Sequence, residues 1–301
     1  ANGVADNMLI TTYLSAKAPV FVAPAMDLDM FAHPSTQKNL DTLRSYGNHI
    51  IEPASGELAS HLVGKGRMEE PDNIIRHLED YFASKDGDLK DKTILITTGP
   101  TYEKIDPVRF IGNYSSGKMG FALADECASR GAKVILIAGP TQQKTRYTSV
   151  ERYDVESASQ MFEAVKEKFP EADAAILSAA VADYTPKSTF NTKLKKKTDN
   201  LVVELVPTKD ILAELGKRKK ENQILVGLAL ETDNELENAK EKLLRKKLDC
   251  IVLNSLNDAG AGFNVPTNKV TILDAKGNIY NSDLKSKYEV ALDISEKILN
   301  L

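Results

Sequence analysis

The segment from Thr97 to Gly120 combines small, hydroxyl-bearing and basic residues in a way that favours anion binding. It follows an apolar stretch, Thr93 to Thr97, and leads through Ser115-Ser116-Gly117-Lys118 into an amphipathic helix predicted over 119–130. Backbone N–H groups at the start of a helix attract phosphate, so Ser115, Ser116 and Gly117 are candidate contacts. The spacing matches neither the dinucleotide fingerprint nor a Walker loop. The alternative is a serine-capped helix after a surface loop, but so long a loop favours a functional role.

A second candidate segment follows the next buried strand, predicted over 174–178. It reads SAAVADY from Ser178 to Tyr184, and its small residues let a ligand approach the backbone closely. Asp183 suits a metal ion or a hydroxyl group, although it also suits a turn cap. The basic run KLKKK from Lys193 to Lys197 comes shortly afterwards. Such runs usually form solvated surface, but this position favours a clamp for a triphosphate.

A third candidate is the predicted helix over 234–246, which is rich in lysine. Lys242 and Lys246 are four residues apart and therefore share one face. They could bind phosphate together, or pair with the glutamates of an exposed helix. The spacing alone favours the second interpretation.

Alternating strands and helices must position these segments. Beyond residue 90 the alternation predicts a mostly parallel, Rossmann-like sheet with helices on both faces and a C-terminal β-hairpin over 269–280. A shorter α/β pattern precedes it, with strands over 19–24 and 49–51 and helices over 5–15, 35–46 and 71–83. Small and charged residues over 84–90 predict a linker. We therefore expect domains over 1–83 and 91–301.

Composition narrows the class of protein. The 301 residues are 42% hydrophobic and 27% charged with a net charge of −4, which argues against nucleic-acid binding. Cys127 and Cys250 lie in apolar segments and predict buried, reduced thiols without a metal-ligand spacing. Neither a membrane-length apolar run nor a signal peptide is present, so we expect a cytoplasmic protein that does not bind membranes. The sequence begins with Ala1, which is not methionine, and passes directly into a helical pattern. We therefore expect a fragment or a processed chain.

Read together and in order, the segments GPTYEKIDPVRFIGNYSSGKMG, SAAVADY, KLKKK, GLALETDN, KLLRKKLD and GFN closely resemble phosphopantothenate–cysteine ligase. That ligase forms the C-terminal half of the bacterial bifunctional coenzyme A biosynthesis protein, and the resemblance covers 89–301. It implies that the carboxylate of 4′-phosphopantothenate attacks the α-phosphate of CTP, giving an acyl-cytidylate and pyrophosphate. The amine of L-cysteine then displaces CMP. The resemblance also implies Mg²⁺ with the triphosphate and a homodimer.

The resemblance assigns roles to residues of this chain. Asn113 matches an asparagine that contacts the acyl-cytidylate, and Lys193 matches the catalytic lysine of the activating step. Substrate contacts are expected at Asn113 and at Ser115, Ser116 and Gly117. The positions that match nucleotide contacts are Leu177, Ser178, Ala179, Asp183, Lys193, Lys209, Asp210, Ile211, Leu212, Leu228, Lys242 and Lys246. Two of them depart from the usual pattern, since Lys209 replaces a proline and Leu228 a phenylalanine.

Residues 1 to about 82 resemble the C-terminal portion of the partner enzyme, an FMN-dependent phosphopantothenoylcysteine decarboxylase. The matching motifs are ANGVADN, PAMDLDMF with Met26 and Asp27, and GKGRM from Gly64 to Met68. Asp27 replaces the usual asparagine, which exchanges donors for an acceptor-only carboxylate. Ser60 replaces the usual active cysteine, and the catalytic histidine would lie before Ala1. The resemblance therefore implies an incomplete decarboxylase domain, whose complete form would assemble into a higher homo-oligomer.

Three alternatives to a ligase remain open at this point. The first is a bifunctional enzyme that also decarboxylates with FMN. The second is a dinucleotide-dependent reductase, which the alternating pattern allows although the glycine fingerprint is missing. The third is a non-catalytic module that binds a nucleotide.

Overall fold

A computed structural model describes residues 1–58, 60–195, 200–231, 233–255, 260–262 and 265–299 of the chain. The chain divides into two compact units, 1–79 and 80–301. Each unit is a layered arrangement of strands and helices, so the predicted mixed α/β fold class is confirmed.

The first unit contains two short strand pairs and the helices beside them. The parallel pair joins Phe21 to His49, and the antiparallel pair joins Gly56 to Gly64. Asn7 caps the first helix by accepting a hydrogen bond from the N–H of Ile10. In chain order the elements are α1 Met8–Ser15, β1 Phe21–Val22, α2 Leu28–Ala32, α3 Pro34–Ser45, β2 His49–Ile50, β3 Ala54–Glu57, β4 Val63–Arg67 and α4 Pro71–Asp86.

The glycine-rich run of this unit forms the β3–β4 hairpin, which the sequence pattern did not predict. A Cβ atom at Gly66 would stand 2.4 Å from the carbonyl oxygen of Met26, and one at Gly64 would stand 2.6 Å from the side chain of Leu28. The Met26 N–H donates to Gly66 O at 2.9 Å. The glycines are therefore required by close packing against the segment that holds Met26 and Asp27.

The predicted linker over 84–90 differs from the structure. Helix α4 continues through Asp86, three residues beyond its predicted end, because nothing before Gly87 stops it. Leu89 is buried and its N–H donates to Arg130 O at 2.9 Å, while Asp88 forms an ion pair with Arg130. The residues after α4 are thus attached to the second unit, and a free connection of seven residues is not observed.

The second unit is built on an eight-stranded sheet within the described residues. Its strand elements are β5 Thr93–Thr98, β6 Tyr102–Lys104, β7 Phe110–Gly112, β8 Lys133–Ala138, β9 Val150–Asp154, β10 Ala174–Leu177, β11 Tyr184–Pro186, β12 Leu205–Pro207, β13 Ile224–Glu231, β14 Cys250–Ser255, β15 Thr267–Asn268, β16 Val270–Asp274, β17 Ile279–Asn281 and β18 Lys285–Ser286. Its helices are α5 Lys118–Ser129, α6 Ala158–Lys168, α7 Ile211–Arg218, α8 Glu235–Arg245 and α9 Lys287–Leu299.

The strand order in the sheet is β17-β16-β14-β13-β10-β5-β8-β9. The strands from β14 to β9 are parallel, and the β16–β17 hairpin adds two antiparallel strands, as predicted. Parallel strands bring their carboxyl ends to one edge, where doubly wound sheets bind ligands. The ends of β5, β10, β13 and β14 therefore lie side by side.

Successive side chains of each strand enter different cores, because a strand alternates its faces. Ile94 and Ile96 of β5 pack on the face that α5 and α9 cover, together with Ile294. Leu95, between them, packs on the opposite face with Met161 of α6, in the layer of α6, α7 and α8. Burying a side chain of this size stabilises the fold by about 1.5–3 kcal/mol.

Candidate active site

A cavity of about 390 Å³ lies at the carboxyl ends of the central strands. It joins all three segments that the sequence singled out. The predicted site residues that line it are Asn113, Ser115, Ser116, Gly117, Ser178, Ala179, Asp183, Leu212, Leu228, Lys242 and Lys246. Asn113 and Lys246, which are 133 positions apart in the chain, therefore face one cavity, and the alternating topology brings them there.

The start of α5 presents backbone N–H groups to this cavity. Its N-cap is Gly117, at φ +80°, and no side chain caps the helix. The predicted alternative of a serine cap is therefore wrong: Ser115 Oγ accepts only from the N–H of Gly117, at 3.3 Å. Thr98 fixes the loop by donating from its hydroxyl to Gly117 O at 2.9 Å. An uncapped helix start that borders a cavity is suited to binding an anion.

Asn113 joins two of the loops that border the cavity. Its side-chain Nδ2 donates to Ala180 O at 3.0 Å and to Val181 O at 3.3 Å. The loop after β10 is held on its other side, because the Ala182 N–H donates to Thr101 Oγ1 at 3.0 Å. The Asn113 amide nitrogen is thus held against this loop and helps to position the cavity wall.

The lysines of α8 divide between two environments. Lys242 pairs with Glu231 at the end of β13, and Lys246 pairs with Asp210 at 2.8 Å, so both reach across to other elements. Lys240 and Arg245 instead pair with Glu237 and Glu241 on their own helix. Lys242 and Lys246 therefore face the cavity, as phosphate binding requires, whereas Lys240 and Arg245 form the ion pairs of an exposed helix.

Asp210 helps to orient Lys246 and begins helix α7. Its carboxylate accepts from the N–H of Ala213 at 2.9 Å. Burial by itself would raise the pKa of this carboxyl, but the hydrogen bonds from Lys246 and Ala213 outweigh that effect and lower the pKa below its usual value. Asp210 is consequently ionised at neutral pH and holds the Lys246 ammonium beside the cavity.

The described side chains that line the cavity carry more positive than negative charge, with two of the four lysines paired to neighbouring carboxylates. Lys118, Lys242, Lys246 and Lys287 line it, whereas Asp183 is the one carboxylate among the described lining residues. Such a balance favours an anionic ligand. No cluster of three acidic, histidine or cysteine side chains suited to a metal ion occurs in the described part of the chain.

Several predicted contacts lie elsewhere. Lys193 is exposed and does not line the cavity, because the backbone at Leu194 is bound to Asp106. Lys209 borders a second cavity and pairs with Glu163 of α6. Leu177 and Ile211 are buried in the core, so only their backbone can contribute to a site. Asn113 and Asp183 therefore share one cavity that Lys193 does not line, and Lys196 and Lys197 lie outside the described residues.

Sequence reasoning missed the wall formed by β14, β15, β16 and α9. Asn254, Asn268 and Lys287 all line the cavity, and Lys287 is buried. The Lys287 ammonium donates to the carbonyl oxygens of Gly262, Val265 and Thr267 at 3.0, 2.8 and 2.9 Å. Burial, with the nearby charge of Lys118, lowers the pKa of Lys287 to about 8. A lysine at the first position of a helix carries no signal in sequence that distinguishes it from a surface lysine.

In the first unit, the residues expected at a flavin site are near the chain surface. Asp27 caps α2 by accepting from the N–H of Leu28 at 2.6 Å. Ser60 is exposed, and its neighbour His61 pairs with Glu57 at 3.0 Å. The two cations of the glycine-rich strand are also engaged, Lys65 with Glu52 and Arg67 with Glu70.

Both cysteines are buried, as predicted, and burial raises the pKa of each thiol to about 12. They are therefore protonated and poorly nucleophilic at neutral pH. Within the described ranges, no helix combines the length and the apolar character that crossing a bilayer requires.

Comparison with known proteins also divides the chain into two parts. Residues 89–301 match the family described as DNA/pantothenate metabolism flavoprotein C-terminal domain, and residues 1–82 match the family described as flavoprotein. The chain is 47% identical over 302 residues to the coenzyme A biosynthesis bifunctional protein CoaBC of Bacillus subtilis (strain 168), covering 100% of this chain and 74% of that protein.

Two further matches are informative. The chain is 56% identical over 304 residues to a cysteine/cysteine sulfinic acid decarboxylase of an unknown prokaryotic organism, covering 100% of this chain and 85% of that protein. The crystal structure of the C-terminal domain of a coenzyme A biosynthesis bifunctional protein CoaBC superposes with a TM-score of 0.61 at 42% identity. That match covers 70% of this chain and 96% of the other.

Proposed function

The chain belongs to the family of coenzyme A biosynthesis bifunctional proteins, and from that membership we propose that it is a phosphopantothenate–cysteine ligase that uses CTP. In the first step a carboxylate oxygen of 4′-phosphopantothenate bonds to the α-phosphorus of CTP, and pyrophosphate leaves. In the second step the amine of L-cysteine bonds to the activated carbonyl carbon. CMP then leaves, and the amine gives up a proton to solvent.

The observation that carries this proposal is the shared cavity of Asn113, the α5 N-terminus and the Lys242–Lys246 pair. Lys242 and Lys246 would attract the triphosphate, because phosphate oxygens compete for ammonium groups that Glu231 and Asp210 already hold in position. The uncapped N–H groups at Gly117 would bind a second anionic group, such as the substrate phosphate. Asn113 would keep the loop between these two sites in place.

We include Mg²⁺ with the nucleotide in this proposal. Mg²⁺ is usually held by one or two carboxylates together with substrate phosphates, so the single carboxylate of Asp183 fits an ion that arrives with CTP. The ion would neutralise phosphate charge. A resident metal site would need more ligands than the described residues bring together.

The decisive experiment measures pyrophosphate release with each substrate omitted in turn. We expect release only when CTP and phosphopantothenate are both present, and CMP formation only after cysteine is added. Isothermal titration should detect CTP binding and no NADPH binding. Binding of NADPH instead of CTP would favour a reductase, and CTP binding without turnover would leave a non-catalytic module.

Decarboxylation is a second candidate activity, favoured by the identity of 56% to a cysteine/cysteine sulfinic acid decarboxylase and by the flavoprotein match over 1–82. The first unit exposes apolar side chains such as Met8, Leu9 and Val63, which a flavin ring or a further protein segment would cover. Lys65 and Arg67 are already paired, so they are not a ready site for the FMN phosphate.

A visible spectrum of the purified protein tests the flavin, and release of CO₂ tests the activity. Phosphopantothenoylcysteine, cysteine and cysteine sulfinate should be assayed in parallel. Release of CO₂ from cysteine sulfinate without any CTP-dependent pyrophosphate would favour the second candidate over the ligase.

We also propose that the ligase unit forms a homodimer. Leu284, Tyr288 and Leu292, near the start of α9, expose apolar surface that association would cover. Light scattering should give twice the mass of the chain, or a higher multiple if the first unit also associates.

A further inference from the structure

The cavity extends beyond the predicted nucleotide contacts to the opposite face of the sheet. Leu212, Lys242 and Lys246 come from α7 and α8, which cover one face. Val252, Val270 and Ile294 line the cavity from the other face, which α5 and α9 cover. A ligand that fills the whole cavity therefore passes from one face to the other around the strand ends.

Two asparagines stand on this far wall. Asn254 follows Val252 by two residues and pairs in register with Val270, so its side chain shares their face. Asn268 precedes Val270 by two residues, and its Nδ2 lies 4.0 Å from Met119 Sδ of α5. Both asparagines border the cavity, and Asn268 is only 3% exposed.

Each asparagine keeps one polar atom without a partner. Asn254 Oδ1 and Asn268 Oδ1 are both buried, and neither accepts a hydrogen bond within the described structure. A buried acceptor without a donor is costly, and native proteins rarely keep two in one place without a use for them. Two such oxygens on one wall of a substrate cavity point to a ligand that supplies two donors.

The surrounding charge identifies the kind of donor. Lys118 and Lys287 both line the cavity and lie near enough for Lys118 to lower the pKa of Lys287, and Asp183 is the one carboxylate among the described lining residues. An ammonium donor would be repelled there, whereas a neutral N–H or O–H group attached to an anion would be accepted. Phosphopantothenate has one amide N–H and one free hydroxyl between its phosphate and its carboxylate.

We propose that Asn254 and Asn268 form the subsite for the pantoyl–β-alanine arm, accepting hydrogen bonds from its amide and its hydroxyl. This rests on the proposed ligase function and deepens it. Cysteine, with its ammonium group, is excluded from this wall. The nucleotide occupies the other face, beside Lys242 and Lys246.

The test compares Asn254→Ala and Asn268→Ala with Asn281→Ala. Asn281 is a matched control, because it lies on the neighbouring strand β17 and accepts from Thr271 outside the cavity. Each test variant should raise the KM for phosphopantothenate about tenfold, the effect of one lost hydrogen bond to a buried acceptor. The KM for CTP should stay within about twofold of wild type, because the nucleotide contacts are unchanged.

Substrate analogues test the same subsite without relying on the variants. Wild-type protein should lose about tenfold in kcat/KM with an analogue whose amide is N-methylated, and again with one that lacks the hydroxyl. The asparagine variants should discriminate less against these analogues. Wild-type protein that uses both analogues as well as phosphopantothenate would overturn the subsite even if Asn268→Ala failed to fold.

The remaining outcomes are also decisive. Equal increases in KM for CTP and phosphopantothenate would contradict a subsite confined to the arm. If wild-type protein is active and both variants discriminate against the two analogues as strongly as wild type does, the subsite is overturned and the ligase function stands. Wild-type protein that releases no pyrophosphate would overturn the proposed function and the subsite together.

Discussion

The carboxylate of Asp106 binds the backbone of Leu194, the residue next to Lys193. Asp106 Oδ2 accepts from the Leu194 N–H at 3.1 Å and pairs with Arg109 at 2.6 Å. The Arg109 guanidinium donates back to Leu194 O at 3.3 Å. Asp106 is buried, and the N–H groups of Val108 and Arg109 occupy its other oxygen. The loop that carries Lys193 is thus anchored beside the β6–β7 hairpin.

Replacing Asp106 should release this anchor. Asp106→Ala should cost about 1–3 kcal/mol of unfolding free energy, because several N–H donors lose their acceptor. Hydrogen exchange over 190–195 should rise, and kcat should fall more than the affinity for CTP. Asp154→Ala, which removes an exposed partner of Arg152, should change none of these. Unaltered exchange at the loop in Asp106→Ala would show that the anchor does not hold it.

The same carboxylate gives a dependence on pH. Burial tends to raise the pKa of Asp106, but the N–H groups of Val108, Leu194 and Arg109 lower it below its usual value. A carboxyl group whose pKa is lower in the folded state than in the unfolded state stabilises the fold at pH values above its unfolded pKa. This contribution should therefore fade as the pH falls below about 4, and Asp106→Asn should reduce the acid dependence of urea unfolding.

Lys193 tests the activating step. Lys193→Gln should reduce pyrophosphate release at least about a hundredfold, because charge developing on the phosphates loses its cation. Since Lys193 is exposed and outside the cavity, the prediction requires its loop to move toward bound CTP. Lys187→Gln is a suitable control, because Lys187 pairs with Glu204 on the neighbouring hairpin. Full activity of Lys193→Gln would refute the role that the resemblance implies.

Asn113→Asp should separate the two steps. A carboxylate cannot donate to Ala180 O and Val181 O, and its charge would repel an oxyanion at the activated carbonyl. Some acyl-cytidylate should still form, because Lys242 and Lys246 are untouched, whereas formation of the amide should stall. Asn113→Ala removes the same hydrogen bonds without adding charge and should impair the second step less. Pyrophosphate release and CMP release that fall equally in Asn113→Asp would contradict this partition.

The sequence was sufficient for the main sheet and for most of one cavity wall. Apolar strands such as β5 and β8 have a strong signal because both faces are buried. The spacing of Lys242 and Lys246 put them on one face, but only the family resemblance assigned them to the nucleotide. Strand β9 was missed because its residues, VERYD, alternate with charge at the sheet edge. The short hairpins β6–β7 and β11–β12 were missed because pairs of three residues leave little periodicity.

Tertiary contacts bring residues to the cavity that the sequence pattern does not single out. Asn268 and Lys287 read as ordinary polar residues, and only the packing of α9 against β16 and α5 brings them to the cavity. Asn113 is a second example. The sequence suggested that its amide was available to a ligand, whereas in the structure the amide nitrogen donates to two carbonyl groups. Hydrogen-bond partners this distant in the chain leave no local pattern.

Lys287 gives a second dependence on pH, of the same sign but in the alkaline range. Its pKa is lowered to about 8 by burial and by Lys118, whereas an unfolded lysine titrates near 10.4. Between these values the unfolded chain binds more protons than the folded one, so this group favours folding as the pH rises. Between pH 7 and pH 9, the free energy of unfolding of wild type, measured with urea, should rise by about 1 kcal/mol more than that of Lys287→Met.

The deprotonated amine has two N–H donors for three carbonyl oxygens, so the loop that it holds should loosen over the same range. The protection factors of the amides at Gly262 and Val265, which correct for base-catalysed exchange, should fall above pH 8 in wild type. In Lys287→Met protection should be low at every pH, and Lys297→Met, on the same helix, should behave like wild type. A wild-type loop whose protection is the same at pH 7 and pH 9 would mean that Lys287 keeps its proton and that the carbonyl groups outweigh its burial.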